Sequence, residues 1–133
     1  MLSVYLSEVL ELSILSSNHI SISKSDRDSI TEAKRIIDSQ LAFAPSCEDV
    51  ARQVNISTSK LTKGFSSLFG TSVHAYVIDQ RLEKAASLLL ESNLNVSQVA
   101  ILVGYSKASN FAAAFKWKYG VKPKNYKAEA KIG

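Results

Sequence analysis

Glu48-Asp49-Val50-Ala51-Arg52-Gln53-Val54-Asn55-Ile56-Ser57 and Ser97-Gln98-Val99-Ala100-Ile101-Leu102-Val103-Gly104-Tyr105-Ser106 are two versions of one pattern, and their repetition decides the fold. Val50, Ala51, Val54 and Ser57 recur at an offset of 49 residues as Val99, Ala100, Val103 and Ser106. Past the turn the offset becomes 50, as though one residue had been inserted: Leu61, Phe65, Phe69, Gly70 and Tyr76 answer to Phe111, Phe115, Tyr119, Gly120 and Tyr126. A repeated unit says more about architecture than any single helix signal.

Each copy has the makings of a helix-turn-helix. A short helix brings a small residue, Ala51 or Ala100, to the crossing point, and Asn55 or Gly104 follows where the backbone needs positive φ. Ser57 or Ser106 is placed to cap the next helix. In that helix Leu61, Phe65, Leu68 and Phe69 share an inward face, leaving Ser59, Thr62, Lys63 and Ser66 outward. The second copy sets Phe111, Phe115 and Tyr119 inward, with Ser109, Ala112, Ala113 and Lys116 outward. A helix with a short, polar and basic outer face fits a groove about 12 Å wide and reaches base edges. The units are expected over 46–70 and 97–120.

Between them, residues 72–92 contain no Gly or Pro and carry an apolar stripe of Tyr76, Val77, Leu82, Ala85, Leu88 and Leu89. One long helix is expected. About twenty residues at about 1.5 Å each span roughly 30 Å, near the repeat of about 34 Å between successive major-groove faces, so one monomer would read an asymmetric site of roughly 20 base pairs. Pro45 and Pro123 each stand where a loop hands over to a helix. With strand-like alternation absent, the expected fold is all-α: two helix-turn-helix subdomains on a linker helix.

Further out, Leu2, Tyr5, Leu6, Val9 and Leu12 mark an amphipathic N-terminal helix; Glu8 and Glu11, with no basic residue ahead of them, argue against a signal peptide or membrane span. Residues 1–24 are expected to be that helix and a linker. The net charge of +4 conceals an asymmetry: residues 1–50 hold four basic against eight acidic side chains, and residues 51–133 twelve against four. The basic part suits a polyanion. Cys47, the only cysteine, reads as a small buried or half-buried thiol in a reducing cytoplasm.

From about Thr31 to Lys127 the chain resembles the AraC/XylS family of bacterial transcription regulators. The resemblance rests on Tyr76-Val77, Arg81-Leu82, Ala85 and Leu88-Leu89, then on Val99-Ala100, Gly104-Tyr105-Ser106, Asn110-Phe111, Phe115-Lys116 and Tyr119-Gly120-Val121 with Pro123 and Tyr126. Lys60-Leu61-Thr62-Lys63-Gly64-Phe65, Leu68-Phe69-Gly70-Thr71 and Phe111-Ala112-Ala113-Ala114-Phe115 look most like its siderophore-responsive, pyochelin-regulator branch.

The resemblance implies a fold of about seven helices, a homeodomain-like pair, and a sequence-specific regulator, with activation the expected sign, that binds double-stranded DNA among the bacterial nucleoid and touches RNA polymerase. No cofactor, metal or membrane is implied, and a small-molecule effector would act only through a domain absent from this chain: residues 1–24 are expected to be the tail of that missing sensor domain, ahead of a DNA-binding domain over 25–133, the alternative being a small stand-alone regulator. Base-reading positions carry over onto Ser59, Thr62 and Lys63 in the first unit and Ser109, Asn110, Ala112 and Ala113 in the second. Lys60, Lys107 and Lys116 are the expected phosphate contacts. Ala113 departs from the family pattern, where a large polar or arginine side chain is common. The first helix is therefore expected to discriminate by hydrogen bonds, and the second to read thymine methyls and shape, with Asn110 its main polar reader. For Arg81 a structural carboxylate such as Asp79 or Glu83 is favoured over a phosphate, and Trp117 is expected to pack on the surface.

An enzyme is disfavoured: His19 and His74 lack a second ligand at coordinating spacing, and no phosphate loop or nucleophile elbow is present. The alternative is a helical protein-interaction module of the same fold with weak or no specific DNA binding. Steep salt dependence together with preference for one duplex sequence separates a reader from that module.

Overall fold

The computed structural model describes residues 22–132, and every regular element in that span is helical. The α-helices are α1 (Lys24–Ser39), α2 (Cys47–Gln53), α3 (Thr58–Phe69), α4 (Val73–Glu91), α5 (Val96–Leu102), α6 (Ala108–Tyr119) and α7 (Pro123–Ile132), with a 3-10 turn at Leu41–Phe43. The expected all-α class with about seven helices is borne out. The amphipathic helix expected over 2–15 lies outside the described residues.

The chain divides into two compact units: one runs through Ile36 and resumes over Ser46–Val73, and the other comprises Ile37–Pro45 and everything from His74 onward. In the first, Ser23 Oγ accepts the Asp26 N–H at 3.0 Å and starts α1, whose Ile30 and Ala33 are fully buried. Ser46 caps α2 by accepting the Asp49 N–H at 3.1 Å, and Asn55 turns the chain with φ 60. An asparagine tolerates that left-handed conformation better than most side chains. Ser57 then caps α3 by accepting the Lys60 N–H at 3.1 Å, and Gly70 ends it at φ 71. Val50, Ala51, Leu61 and Phe65 are buried, as the apolar spacing requires. Gly64 fits because it lacks a side chain: a Cβ there would lie 2.3 Å from Ile30 Cδ1.

The second unit repeats this plan. Asn95 and Gln98 form a reciprocal capping box, the Gln98 N–H donating to Asn95 Oδ1 at 2.8 Å and the Asn95 N–H to Gln98 Oε1 at 2.9 Å. Leu82, Ala85, Leu89, Val99, Val103, Phe111 and Phe115 are buried, with Tyr105, Tyr119 and Tyr126 packed against them. Ring centroids of Phe115 lie 4.6 Å from Tyr119 and 5.2 Å from Tyr126, within the range where aromatic pairs add to simple burial. Pro123 takes the first position of α7, where its missing N–H has no partner to lose.

One expectation fails at the second turn. Gly104 takes positive φ (103) as the spacing predicts, but Ser106 does not cap α6. Lys107 occupies the N-cap position and its side chain accepts no backbone N–H. The reason is the inserted residue: it moves the helix start one position beyond the serine, and an ammonium has no lone pair to offer.

Candidate nucleic-acid interface

In the first unit, α3 turns Leu61, Gly64 and Phe65 into the core, so the residues at the opposite helical angles look outward. Ser59, Lys63 and Ser66 are exposed, while Thr62 is half-buried. Thr62 Oγ1 donates to the Ser59 carbonyl at 3.2 Å, which leaves the hydroxyl oxygen as an acceptor and the methyl outward-capable. Lys63 adds a charge free to search a wide arc. This face can therefore both donate and accept hydrogen bonds.

In the second unit, Phe111 and Phe115 fix the inward side of α6. Ser109, Asn110 and Ala113 are exposed and Ala112 is half-buried, at the same register as the first face. Thr62 and Lys63 are answered by Ala112 and Ala113, so this face offers methyl groups where the first offers a hydroxyl and an ammonium. Ser109 and Asn110 are its polar atoms.

Of the three expected phosphate lysines, Lys107 and Lys116 are exposed. Lys60 is exposed too, but its ammonium lies 3.3 Å from Asp26 of α1. A surface pair of this kind is worth at most about 1 kcal/mol and can be exchanged for a phosphate.

Arg81 plays a structural part with a partner other than the expected carboxylate. Its Nε donates to the Leu41 carbonyl at 2.8 Å, and its guanidinium lies 6.0 Å from the Tyr105 ring centre. The carboxylates Asp79 and Glu83 are taken by Lys118 of α6 instead. Burial alone would lower the Lys118 pKa, but the Asp79 hydrogen bond and the charges of Asp79, Tyr119 and Glu83 together raise it. Lys118 was not singled out in the sequence. Its clue was the inward register beside Phe111 and Phe115, where a lysine needs an acidic partner.

Trp117 corrects a second expectation. Instead of packing on the surface it is 87% exposed. Cys47 is half-buried, and desolvation followed by the charge of Glu48 raises its thiol pKa, as suits an inert thiol. His74 is exposed. Among the described residues no group of three or more His, Cys, Asp or Glu could hold a metal ion, and no helix is long and apolar enough to cross a membrane.

A family model described as a helix-turn-helix domain matches residues 50–129. The xylose operon regulatory protein of Escherichia coli K12 is 35% identical over 80 residues, which cover 60% of this chain and 20% of that protein. Among solved structures, the C-terminal domain of AraT, a response regulator from Geobacillus stearothermophilus, is 30% identical with a TM-score of 0.65, covering 81% of this chain and 87% of that one. The DNA-binding domain of AdpA, solved with a target DNA, shares the fold at a TM-score of 0.73 and 24% identity, over 77% of this chain and 93% of that one. The chain spans 36% of the Msm operon regulatory protein of Streptococcus mutans and 20% of the xylose regulator, a minor part of the curated relatives it matches. Matched by the family over most of its length and carrying the paired helices with their outward faces, the chain belongs to the AraC-type helix-turn-helix family of DNA-binding transcription regulators.

Proposed function

We propose that the chain recognises an asymmetric duplex site by placing α3 and α6 in successive major grooves, and that it does so as part of a transcription activator. The observation that carries this is the matched register of two outward faces, Ser59/Thr62/Lys63/Ser66 and Ser109/Ala112/Ala113/Lys116, each opposite its own core. α3 discriminates through hydrogen bonds from Ser59, Thr62 and Lys63. α6 reads thymine methyls with Ala112 and Ala113 and uses Ser109 and Asn110 for polar contacts. Lys60, Lys107 and Lys116 neutralise phosphates.

The wider reading extends the family's domain to a whole regulator. The 25–133 segment binds the duplex, residues 1–24 lead from a sensor that carries the effector site, and contact with RNA polymerase gives activation in the bacterial nucleoid. Placement in the siderophore-responsive branch rests on the Lys60–Phe65 and Phe111–Phe115 motifs. Footprinting on duplexes with one half-site scrambled tests the unequal readers: scrambling the α3 half-site should abolish specific protection, and equal or greater loss from the α6 half-site would overturn the assignment.

A further inference from the structure

Trp117 is the chain's only tryptophan, and it stands 87% exposed near the end of α6. Its helical position is not arbitrary. Ser109, Ala113 and Trp117 are spaced by four residues, so they form one row along the face turned away from Phe111 and Phe115. Asn110, seven residues before Trp117, lies beside the same row. The neighbouring cations differ in their commitments: Lys116 is exposed, whereas Lys118 is drawn inward to Asp79 and Glu83. The first unit has Ser67 at the equivalent position, so the indole belongs to the second face alone.

We infer that Trp117 is a DNA-contacting residue that packs its indole against the sugar–phosphate wall of the groove entered by α6, with Nε1–H donating to a phosphate oxygen. This rests on the proposed duplex reading and adds a contact to that interface. Eight residues of helix advance about 12 Å, comparable to the width of the major groove. If Ser109 and Ala113 meet base edges, a side chain two turns further along the row meets the groove's edge. There the duplex offers the apolar flank of deoxyribose beside an anionic oxygen, and an indole combines a flat apolar surface with one donor. Beyond the amide of Asn110 and the charges of Lys107 and Lys116, this face offers only methyls and a short hydroxyl. The indole supplies contact area without asking for a particular base.

Such a contact leaves a signature that a phosphate-neutralising lysine does not. It releases no counterion, so removing it weakens binding by a similar factor at every salt concentration, while loss of Lys116 flattens the salt dependence by about one phosphate's share. The test uses the full chain and a duplex selected from a random pool. Because Trp117 is the only tryptophan, its emission reports this one site. The selected duplex should change that emission and shield it from acrylamide. Trp117→Ala should bind about tenfold more weakly with an unchanged salt slope and unchanged melting temperature, and Trp117→Phe should fall between.

Specific binding by the wild-type chain with acrylamide access unchanged, or with full affinity in Trp117→Ala, would overturn this contact while leaving the duplex reading intact. That result would assign the indole to a protein surface instead. Failure of the wild-type chain to prefer any duplex would remove the reading itself and this contact with it.

Discussion

The two helix-turn-helix copies share a backbone plan and differ in what they present and what they bury. The first copy uses Asn55 at its turn, caps its recognition helix with Ser57 and shows Thr62 and Lys63 on its outer face. The second uses Gly104, begins its recognition helix at an uncapped Lys107 and shows Ala112, Ala113 and Trp117. Inside, among the described residues, the second has an aromatic cluster of Tyr105, Phe111, Phe115, Tyr119 and Tyr126, and the first packs Phe65 against Phe69. The difference shows that the repeated motif fixes where the chain turns and which face is buried. The chemistry of the open face is left to vary.

The turns offer the largest expected effect. Asn55 sits at φ 60, within reach of an asparagine, whereas Gly104 sits at φ 103 with the Ala42 carbonyl 2.8 Å and the Arg81 guanidinium carbon 3.0 Å from where a Cβ would stand. Exchanging the two turn residues should therefore be lopsided. Asn55→Gly should change stability by only a few tenths of a kcal/mol, because glycine adopts the same conformation freely. Gly104→Asn should cost about 3 kcal/mol: it adds backbone strain and pushes aside the strand of contacts around Leu41 and Arg81. Urea denaturation of both variants measures this, and similar losses would show that the two turns are interchangeable after all.

A smaller effect lies in α3 and α6. Gly64 occupies the position that Ala114 holds in the second copy, and a Cβ on the glycine would stand 2.3 Å from Ile30 Cδ1. Gly64→Ala gains helix propensity of up to about 1 kcal/mol but overpacks a buried site at a cost of about 1–3 kcal/mol. The net expectation is destabilisation by about 1 kcal/mol. Ile30→Val removes the offending methyl, so the double variant should be more stable than the two single losses predict. A thermodynamic cycle by chemical denaturation decides it, and strict additivity would mean that the close approach carries no energy.

What the sequence made legible follows from locality. The cap at Ser57, the positive φ of Asn55 and Gly104, and the buried register of Leu61, Phe65, Phe111 and Phe115 depend on neighbours within a turn or two, and the repeat allowed each copy to support the other. The inserted residue was visible as a change of offset from 49 to 50, yet its effect on the Ser106 cap was not, since the same serine can stand inside or outside the helix start. Arg81 reaching the Leu41 carbonyl and Lys118 reaching Asp79 span about forty residues, and no periodicity encodes them. The 3-10 turn at Leu41–Phe43 likewise had no signal of its own. On the candidate interface, the outward faces could be read from helical spacing. The degree to which Trp117 is exposed could not, because spacing sets it on the outward side and only packing decides whether such a ring lies down on the surface or stands free.

The smallest expected difference between the units concerns alkaline pH. In the second unit, desolvation raises the phenol pKa values of Tyr105 and Tyr119, and the Lys118 ammonium is also held above its ordinary value, its acidic neighbours outweighing desolvation. All three groups bind their proton more tightly when folded. By linkage, each contributes stability that is complete below its unfolded pKa, near 10 for the phenols and 10.4 for the lysine, and is lost as pH rises through the higher folded value. The first unit has one described group shifted in this direction at a lower pH, the Cys47 thiol. Hydrogen exchange followed peptide by peptide should show α6 loosening as pH rises above about 10, once corrected for intrinsic rates, while α3 changes mainly around the thiol's titration. Replacing Lys118 by methionine should remove part of the α6 response without touching α3. An unchanged α6 profile in that variant would mean that Lys118 and its carboxylates are too solvated to couple to folding, and that the phenols alone set the alkaline limit.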